Sequence, residues 1–158
     1  MGIEPFLIAS TVHTVIGQRL VRRIGEDKET YESDLAETAA IEAMVGRLLP
    51  KTQEDMRRAC EDLGYESLPL AGQKAYTLTK GVAGPKAPGG YKGRMGIYEV
   101  FTISEEIQKL ILKRATSAEI QAVAKEQGMI DMREDGYLKA LAGHTTIAEV
   151  NRVAAGDA

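Results

Sequence analysis

The chain has 158 residues, 44% of them hydrophobic and 27% charged, and a globular chain of this length buries enough surface to fold without a metal ion or a disulfide. Its 20 Lys and Arg residues against 23 Asp and Glu give a formal charge of -3, which argues against a general nucleic-acid coat protein. The one cysteine, Cys60, excludes an intramolecular disulfide and a zinc site built mainly from thiolates. No apolar run approaches membrane-spanning length, and we expect a cytosolic protein.

Residues 1–24 predict a short helix followed by an arginine-rich strand. Pro5 suits the first turn of a helix that runs through Ser10, because a proline there loses no hydrogen bond. The following stretch predicts a strand partly covered on both sides. Its apolar face is expected to carry Val12, Ile16, Leu20 and Ile24. Its other face is expected to carry His13, Arg19 and Arg23, interrupted by Val15 and Val21.

Residues 25–93 predict a mostly helical insert. A polar connector at residues 26–32 leads to a helix that should start at Ser33 and end at Pro50. Its apolar stripe is expected to comprise Leu35, Ile41, Met44, Val45, Leu48 and Leu49. Thr52 opens a second helix that closes at Gly64. One short strand is expected within residues 68–79, and the Gly/Pro-rich residues 81–93 predict a mobile loop.

Residues 94–158 predict a strand over Arg94 to Ile103 and then four short helices. Ser104, Thr116 and Thr146 are expected as helix N-caps, and a further helix should begin near Asp131. The prediction is therefore an α+β fold. Its small sheet is formed by the arginine-rich strand and the Gly-Ile-Tyr-Glu-Val strand, beside the helical insert and a C-terminal four-helix subdomain.

The sequence contains no recognisable catalytic site. No G-x-x-x-x-G-K-[ST], H-E-x-x-H or C-x-x-C motif occurs. We interpret His13 as a strand residue, His144 as a surface turn residue and Cys60 as a small packing residue. Glu134 and Asp135 are expected to form a solvated first helical turn.

A cluster of basic residues is the one candidate contact site. Arg19, Arg22 and Arg23 lie near the end of one strand, and Lys92 and Arg94 join them if the two strands pair. Guanidinium groups suit phosphate or carboxylate recognition. Contact with a phosphate or a partner, and a solvated strand end paired to nearby acids, are equally consistent with this pattern.

Several segments, taken together, resemble the type II secretion and type IV pilus assembly ATPases (the GspE/PulE/PilB group). The resemblance covers about the first 24 and the last 69 residues. Its segments are residues 1–10, Gln18 to Arg23, Gly90 to Val100, Gln127 to Met129, Arg133 to Gly136 and Leu141 to Val150.

This resemblance implies that the chain is the C-terminal region of such a motor, with Met1 an internal methionine. It assigns residues 1–24 to the last helix and strand of a RecA-like ATPase core, 25–93 to an arm, and 94–158 to a strand with the helical subdomain. Such motors are hexameric rings at the cytoplasmic face of the inner membrane, where they act on a platform membrane protein. ATP and Mg²⁺ are implied for the full-length parent, and this segment alone is expected to be inactive and without a cofactor.

The chain departs from the family at the family's zinc ligands. Two C-x-x-C pairs hold a structural zinc in most members, and they fall here on Gly25 with Lys28 and near Ala83 with Lys86. We therefore expect a zinc-free variant. The alternative function is a free-standing interaction module whose basic loop, residues 80–94, binds an acidic partner or nucleic acid. The motor hypothesis expects no nucleic-acid partner.

Overall fold

The computed structural model describes residues 2–155 and confirms a mixed α+β fold. Its helices over those residues are α1 (Pro5–Thr11), α2 (Leu35–Val45), α3 (Gln53–Leu63), α4 (Glu105–Leu112), α5 (Ser117–Glu126), α6 (Met132–Leu141) and α7 (Ile147–Ala154). Its strands are β1 (Thr14–Ile24), β2 (Lys28–Glu32), β3 (Thr77–Gly81) and β4 (Tyr91–Thr102). β1 pairs with β4, and β2 pairs with β3. Met1 and residues 156–158 lie outside the described residues. The structure therefore does not test the expectation for Met1, nor the outer ends of the predicted ranges 1–24 and 94–158.

Most predicted helix starts are confirmed because their signals are local. The hydroxyl oxygens of Thr52, Ser104 and Thr116 each accept a hydrogen bond from the backbone N–H three residues later. After α3, Gly64 adopts the left-handed conformation with φ +77°, which costs glycine little.

The helix predicted from Ser33 to Pro50 is shorter than expected. Its N-cap is Asp34, whose carboxylate accepts from the Glu37 N–H, while the Glu37 carboxylate accepts from the Asp34 N–H. The hydroxyl oxygen of Ser33 instead accepts a hydrogen bond from the backbone N–H of Tyr76. Leu35 is solvent-exposed and does not belong to the predicted apolar stripe.

The prediction of a polar connector is wrong over Lys28–Glu32. This segment is β2, which pairs antiparallel with β3 in a register that runs from Lys28 opposite Gly81 to Glu32 opposite Thr77. Most residues of this strand are exposed, which is compatible with their polar side chains. The strand therefore lacks the alternation of apolar and polar residues by which a strand is recognised in a sequence. Glu29 lies opposite Lys80, and their charged groups are 3.8 Å apart.

The loop predicted over residues 81–93 is shorter than expected and contains regular structure. β3 extends to Gly81, a 3₁₀ turn forms at Pro88–Gly90, and β4 begins at Tyr91 rather than at Arg94. Gly81 and Gly90 approach so closely that a Cβ atom on either would overlap the backbone of the other. The glycines therefore permit this close contact between two chain segments.

The buried face of β1 is opposite to the one predicted. Ile16 and Leu20 are 66% and 47% exposed, whereas Val21, on the face expected to be polar, is completely buried. The sequence misleads here because both faces carry apolar residues, so alternation alone does not decide which face is covered.

The chain forms two compact units. The first unit comprises Met1–Gln18 and Tyr98–Met132. Its core contains Ile103, Ile107, Ala124 and Met129. This unit contains α1, α4 and α5.

The second unit comprises Arg19–Ile97 and Arg133–Ala158. Its fully buried side chains include Val21, Ile41, Val45, Ile97, Leu138 and Val150. The contact between α6 and α7 depends on Gly136, because a Cβ atom there would lie 2.5 Å from Cγ1 of Val150. Glycine at this position lets the two helices approach.

We therefore expect Gly136→Ala to destabilise the second unit by about 2 kcal/mol through overpacking. Urea unfolding measures the change. Gly84→Ala is the matched control, because a Cβ at Gly84 meets no atom within 4 Å. In the double change Gly136→Ala, Val150→Ala the two losses should be less than additive, because the smaller side chain at position 150 leaves room for the added Cβ. Equal stability of Gly136→Ala and the unaltered protein would contradict this packing.

Candidate functional site

The arginine-rich strand is joined to α7 by one buried carboxylate. Glu149 lies in the first turn of α7 and is 2% exposed. Its Oε1 accepts hydrogen bonds from the backbone N–H of Arg22 at 3.0 Å, from Nε of Arg22 at 3.1 Å and from Arg152 at 2.6 Å. Its Oε2 accepts from the Arg22 and Arg152 guanidinium groups at 2.9 and 3.1 Å. One carboxylate thus binds two guanidinium groups, each through two bonds.

This environment stabilises the charged form of Glu149. Hydrogen bonding from Arg152, followed by that from the side chain and backbone of Arg22, lowers the pKa of Glu149 to about 2, although burial opposes the shift. The same carboxylate raises the pKa of the Arg22 and Arg152 guanidinium groups. Glu149 is therefore ionised throughout the neutral range.

Tyr91, the first residue of β4, completes the cluster. The Arg22 guanidinium lies 4.3 Å from the centroid of the Tyr91 ring, a cation–π arrangement. The Tyr91 hydroxyl hydrogen-bonds with the Thr146 hydroxyl at 2.8 Å. Thr146 caps α7 by accepting from the Glu149 N–H, as predicted. The Glu149 carboxylate, however, faces β1 rather than closing a capping box.

The two ends of α7 both bind β1. Arg19 donates a hydrogen bond to the carbonyl oxygen of Val153 at 2.7 Å, near the last turn, where the helix dipole favours a cation. The buried Thr145 hydroxyl, just before the helix, donates to the Arg22 carbonyl at 2.9 Å. Side chains of the α7 region therefore satisfy backbone groups of β1 that would otherwise need a neighbouring strand.

The remaining predicted contact residues lie on the surface of the second unit. Arg23 and Arg94 are exposed, and Lys92 lies 4.0 Å from Glu26. The structure thus brings Arg19 and Arg22 to α7, whereas Arg23, Lys92 and Arg94 present their side chains to solvent. The role of these five residues in phosphate or partner contact stays a prediction.

Sequence reasoning missed Arg152, which shares the carboxylate with Arg22. The spacing of Glu149 and Arg152, three residues apart on one helix, is the signal that could have identified the pair. It also misjudged Glu134 and Asp135, which are not a solvated first turn. Glu134 is buried and pairs with Arg47, and Asp135 pairs with Lys139 at 2.6 Å.

Of the positions that match the family's zinc ligands, Gly25 contacts the segment near Gly90 and Lys28 begins β2. The Gly25 N–H donates to the Gly90 carbonyl at 2.9 Å, and a Cβ on Gly25 would lie 3.0 Å from the Cβ of Ala87. Gly84 and Ala87 exchange two backbone hydrogen bonds. Within residues 2–155, no group of three or more His, Cys, Asp and Glu side chains is arranged to hold a metal ion. The zinc-free state stays a prediction, which metal analysis of the purified chain tests.

A sequence model of the family described as "Type II/IV secretion system protein" matches residues 1–152. The "Type II secretion system protein E" of Xanthomonas campestris is 35% identical over 153 residues, which are 97% of this chain and 23% of that protein. The "Type IV pilus assembly ATPase PilB" of Thermus thermophilus is 34% identical over 151 residues, covering 95% of this chain and 14% of that protein. The "Type II secretion system ATPase E" of Vibrio cholerae is 32% identical over 157 residues, covering 97% of this chain and 25% of that protein. The chain therefore spans a quarter or less of these relatives.

The ionised cluster predicts a pH-dependent stability. The pKa of Glu149 is lower in the folded chain than the ordinary 4.5, so its contribution is complete above about pH 4.5 and is lost as the pH falls toward about 2. We expect Glu149→Gln to lower the free energy of unfolding by about 2 kcal/mol at neutral pH, because charge-assisted hydrogen bonds are lost. The difference from the unaltered protein should shrink as the pH falls below about 4.5.

Urea unfolding between neutral pH and about pH 2.5 measures both effects. Glu61→Gln is the control, because Glu61 forms an exposed pair with Arg57 and should change stability by less than about 0.5 kcal/mol. A loss from Glu149→Gln that is independent of pH would contradict the ionic role of Glu149.

Proposed function

The chain belongs to the type II/IV secretion system protein family, and we propose that it is the C-terminal segment of a motor ATPase for type II secretion or type IV pilus assembly. The family match over residues 1–152 is the observation that carries this proposal. Relatives named for each of the two systems have similar identity to this chain. The proposal therefore covers both systems.

In this proposal, residues 1–24 complete a RecA-like core, residues 25–93 form an arm, and residues 94–158 form a strand and a helical subdomain. The exposure of Ile16 and Leu20 on β1 supports the first assignment, because apolar strand residues are usually covered. The sheet that contains β1 has two strands within the described residues. Helices of an ATPase core, which lie on the faces of its sheet, would cover these side chains in the parent protein.

We further propose that the segment contributes to a hexameric ring and to contact with an inner-membrane platform protein. This sequence contains no Walker A loop. ATP and Mg²⁺ would therefore bind to another part of the parent protein. None of the helices within residues 2–155 is both long and apolar enough to cross a bilayer. The proposed location is the cytoplasm, peripheral to the inner membrane.

A chimera tests this function. The matching 153-residue stretch of the Xanthomonas campestris relative is replaced by this chain, and ATP hydrolysis and particle mass are measured. The intact relative and the same relative truncated before the stretch are the two references. We expect the chimera to recover both hydrolysis and ring formation relative to the truncated protein, while this chain alone does not hydrolyse ATP.

A folded chimera that is no more active than the truncated protein would contradict the proposal. Binding of generic duplex DNA by the chain alone, lost steeply as salt rises, would instead favour the interaction module with its basic loop at residues 80–94.

A further inference from the structure

The edge of β2 that faces away from β3, here called the outer edge, is an open strand edge on the second unit. The sheet that β2 forms with β3 has two strands within residues 2–155, so no further strand covers this edge there. Four of the five residues of β2 are exposed, and Tyr31 is partly buried. An open edge presents backbone N–H and C=O groups that another strand can bind.

Two hydrogen bonds that flank β2 establish which of its residues face β3. At one end, the N–H of Val82 donates to the Asp27 carbonyl at 2.8 Å. At the other end, the N–H of Ser33 donates to the Tyr76 carbonyl at 2.8 Å. Hydrogen-bonded and non-hydrogen-bonded pairs alternate along an antiparallel ladder, and the register between these two flanking pairs is continuous. The odd-numbered residues of β2 therefore direct their backbone groups to β3.

The even-numbered residues, Lys28, Thr30 and Glu32, direct their backbone groups to the outer edge instead. Within residues 2–155, none of the three forms a backbone hydrogen bond with a segment other than β3. The outer edge thus offers the N–H and C=O groups of three residues to another strand.

The side chains at the two ends of the outer edge carry opposite charges. Lys28 lies two residues before Thr30, and Glu32 lies two residues after it. Both side chains are exposed. The Glu32 carboxylate accepts a hydrogen bond from the Thr77 hydroxyl at 2.9 Å through one oxygen atom, and its second oxygen atom can bind a cation. The charge pattern is therefore complementary to itself when the strand is reversed about Thr30.

We propose that the outer edge of β2 pairs antiparallel with the outer edge of β2 in a second copy of this chain, about a two-fold axis at Thr30. In this register Thr30 lies opposite the partner's Thr30, and Lys28 lies opposite the partner's Glu32. The second Lys–Glu pair follows from the symmetry. All three outward-facing residues of each copy then pair with one another, and the result is a four-stranded sheet.

Charge selects both the second copy and the register. An axis that placed Lys28 opposite the partner's Lys28, or Glu32 opposite the partner's Glu32, would bring like charges together, which is unfavourable across antiparallel strands. A two-fold contact requires a surface that is complementary to itself, and the outer edge of β2 meets this requirement at Thr30. The contact involves no nucleotide and is independent of the proposed motor function.

Amide signals of the full 158-residue chain, labelled with ¹⁵N, test the pairing. Five-residue strands form a small interface, so association should be weak, and spectra are compared between about 10 µM and about 1 mM chain. We expect the signals of Lys28, Thr30 and Glu32 to move saturably with concentration. The amides of Glu29 and Tyr31, which face β3, should move less. Sedimentation velocity over the same range should show the mass rising toward that of a dimer.

Charge exchange tests the register. Lys28→Glu and Glu32→Lys should each weaken self-association by about tenfold or more, because each change places like charges opposite each other at two symmetric sites. An equimolar mixture of the two variants should associate about as strongly as the unaltered chain, because opposite charges then face each other again. Lys51→Glu is the matched control, since Lys51 is an exposed lysine between α2 and α3, and it should leave self-association unchanged.

Four results would each overturn the proposal. The first is a mass and spectrum that do not change with concentration up to about 1 mM. The second is association that both charge variants leave unchanged, which would instead indicate contact through exposed apolar residues. The third is a mixture that associates no better than either variant alone, and the fourth is an equal effect of Lys51→Glu.

Discussion

The arrangement of the second unit depends on the carboxylate of Glu149. Its two oxygens bind the backbone and guanidinium of Arg22 and the guanidinium of Arg152. A buried carboxylate is costly unless it is paired and hydrogen-bonded, and this one is both. Because the Thr145 hydroxyl also binds the Arg22 carbonyl, side chains replace a neighbouring strand at the edge of β1. Polar groups therefore hold β1 and α7 together, and these groups find their hydrogen-bond partners only when both elements are in place.

Other contacts in the second unit also join elements that are far apart in the sequence or bring neighbouring helices together. A second buried acid, Glu134 on α6, pairs with Arg47, which follows α2, and Gly136 lets α6 pack against Val150 of α7. Each buried acid is thus paired with an arginine from a distant part of the sequence, Arg22 for Glu149 and Arg47 for Glu134. Among residues 2–155, every buried side-chain nitrogen or oxygen atom has a hydrogen-bond partner. The match to the type II/IV secretion system protein family extends over most of this unit.

The sequence predicted features whose causes are local, and it missed those that require distant partners. Thr52, Ser104 and Thr116 were identified as caps because each binds a backbone group three residues away. β2 was missed because its polar residues form a strand only by pairing with β3, far along the chain. At the candidate site, the arginine cluster was recognised, but the burial of Glu149 and the part played by Arg152 depend on how α7 meets β1. The family was recognised from its short segments.

Amide hydrogen exchange at Arg22 tests the central role of Glu149 most directly, because the Arg22 N–H donates to the carboxylate rather than to another strand. Exchange is compared between the unaltered chain and Glu149→Ala, with the amide of the buried Ile97 in β4 as the internal reference. The account predicts that the Arg22 amide is protected in the unaltered chain and loses more protection than the Ile97 amide in the variant. Equal protection of Arg22 in the two proteins would contradict it.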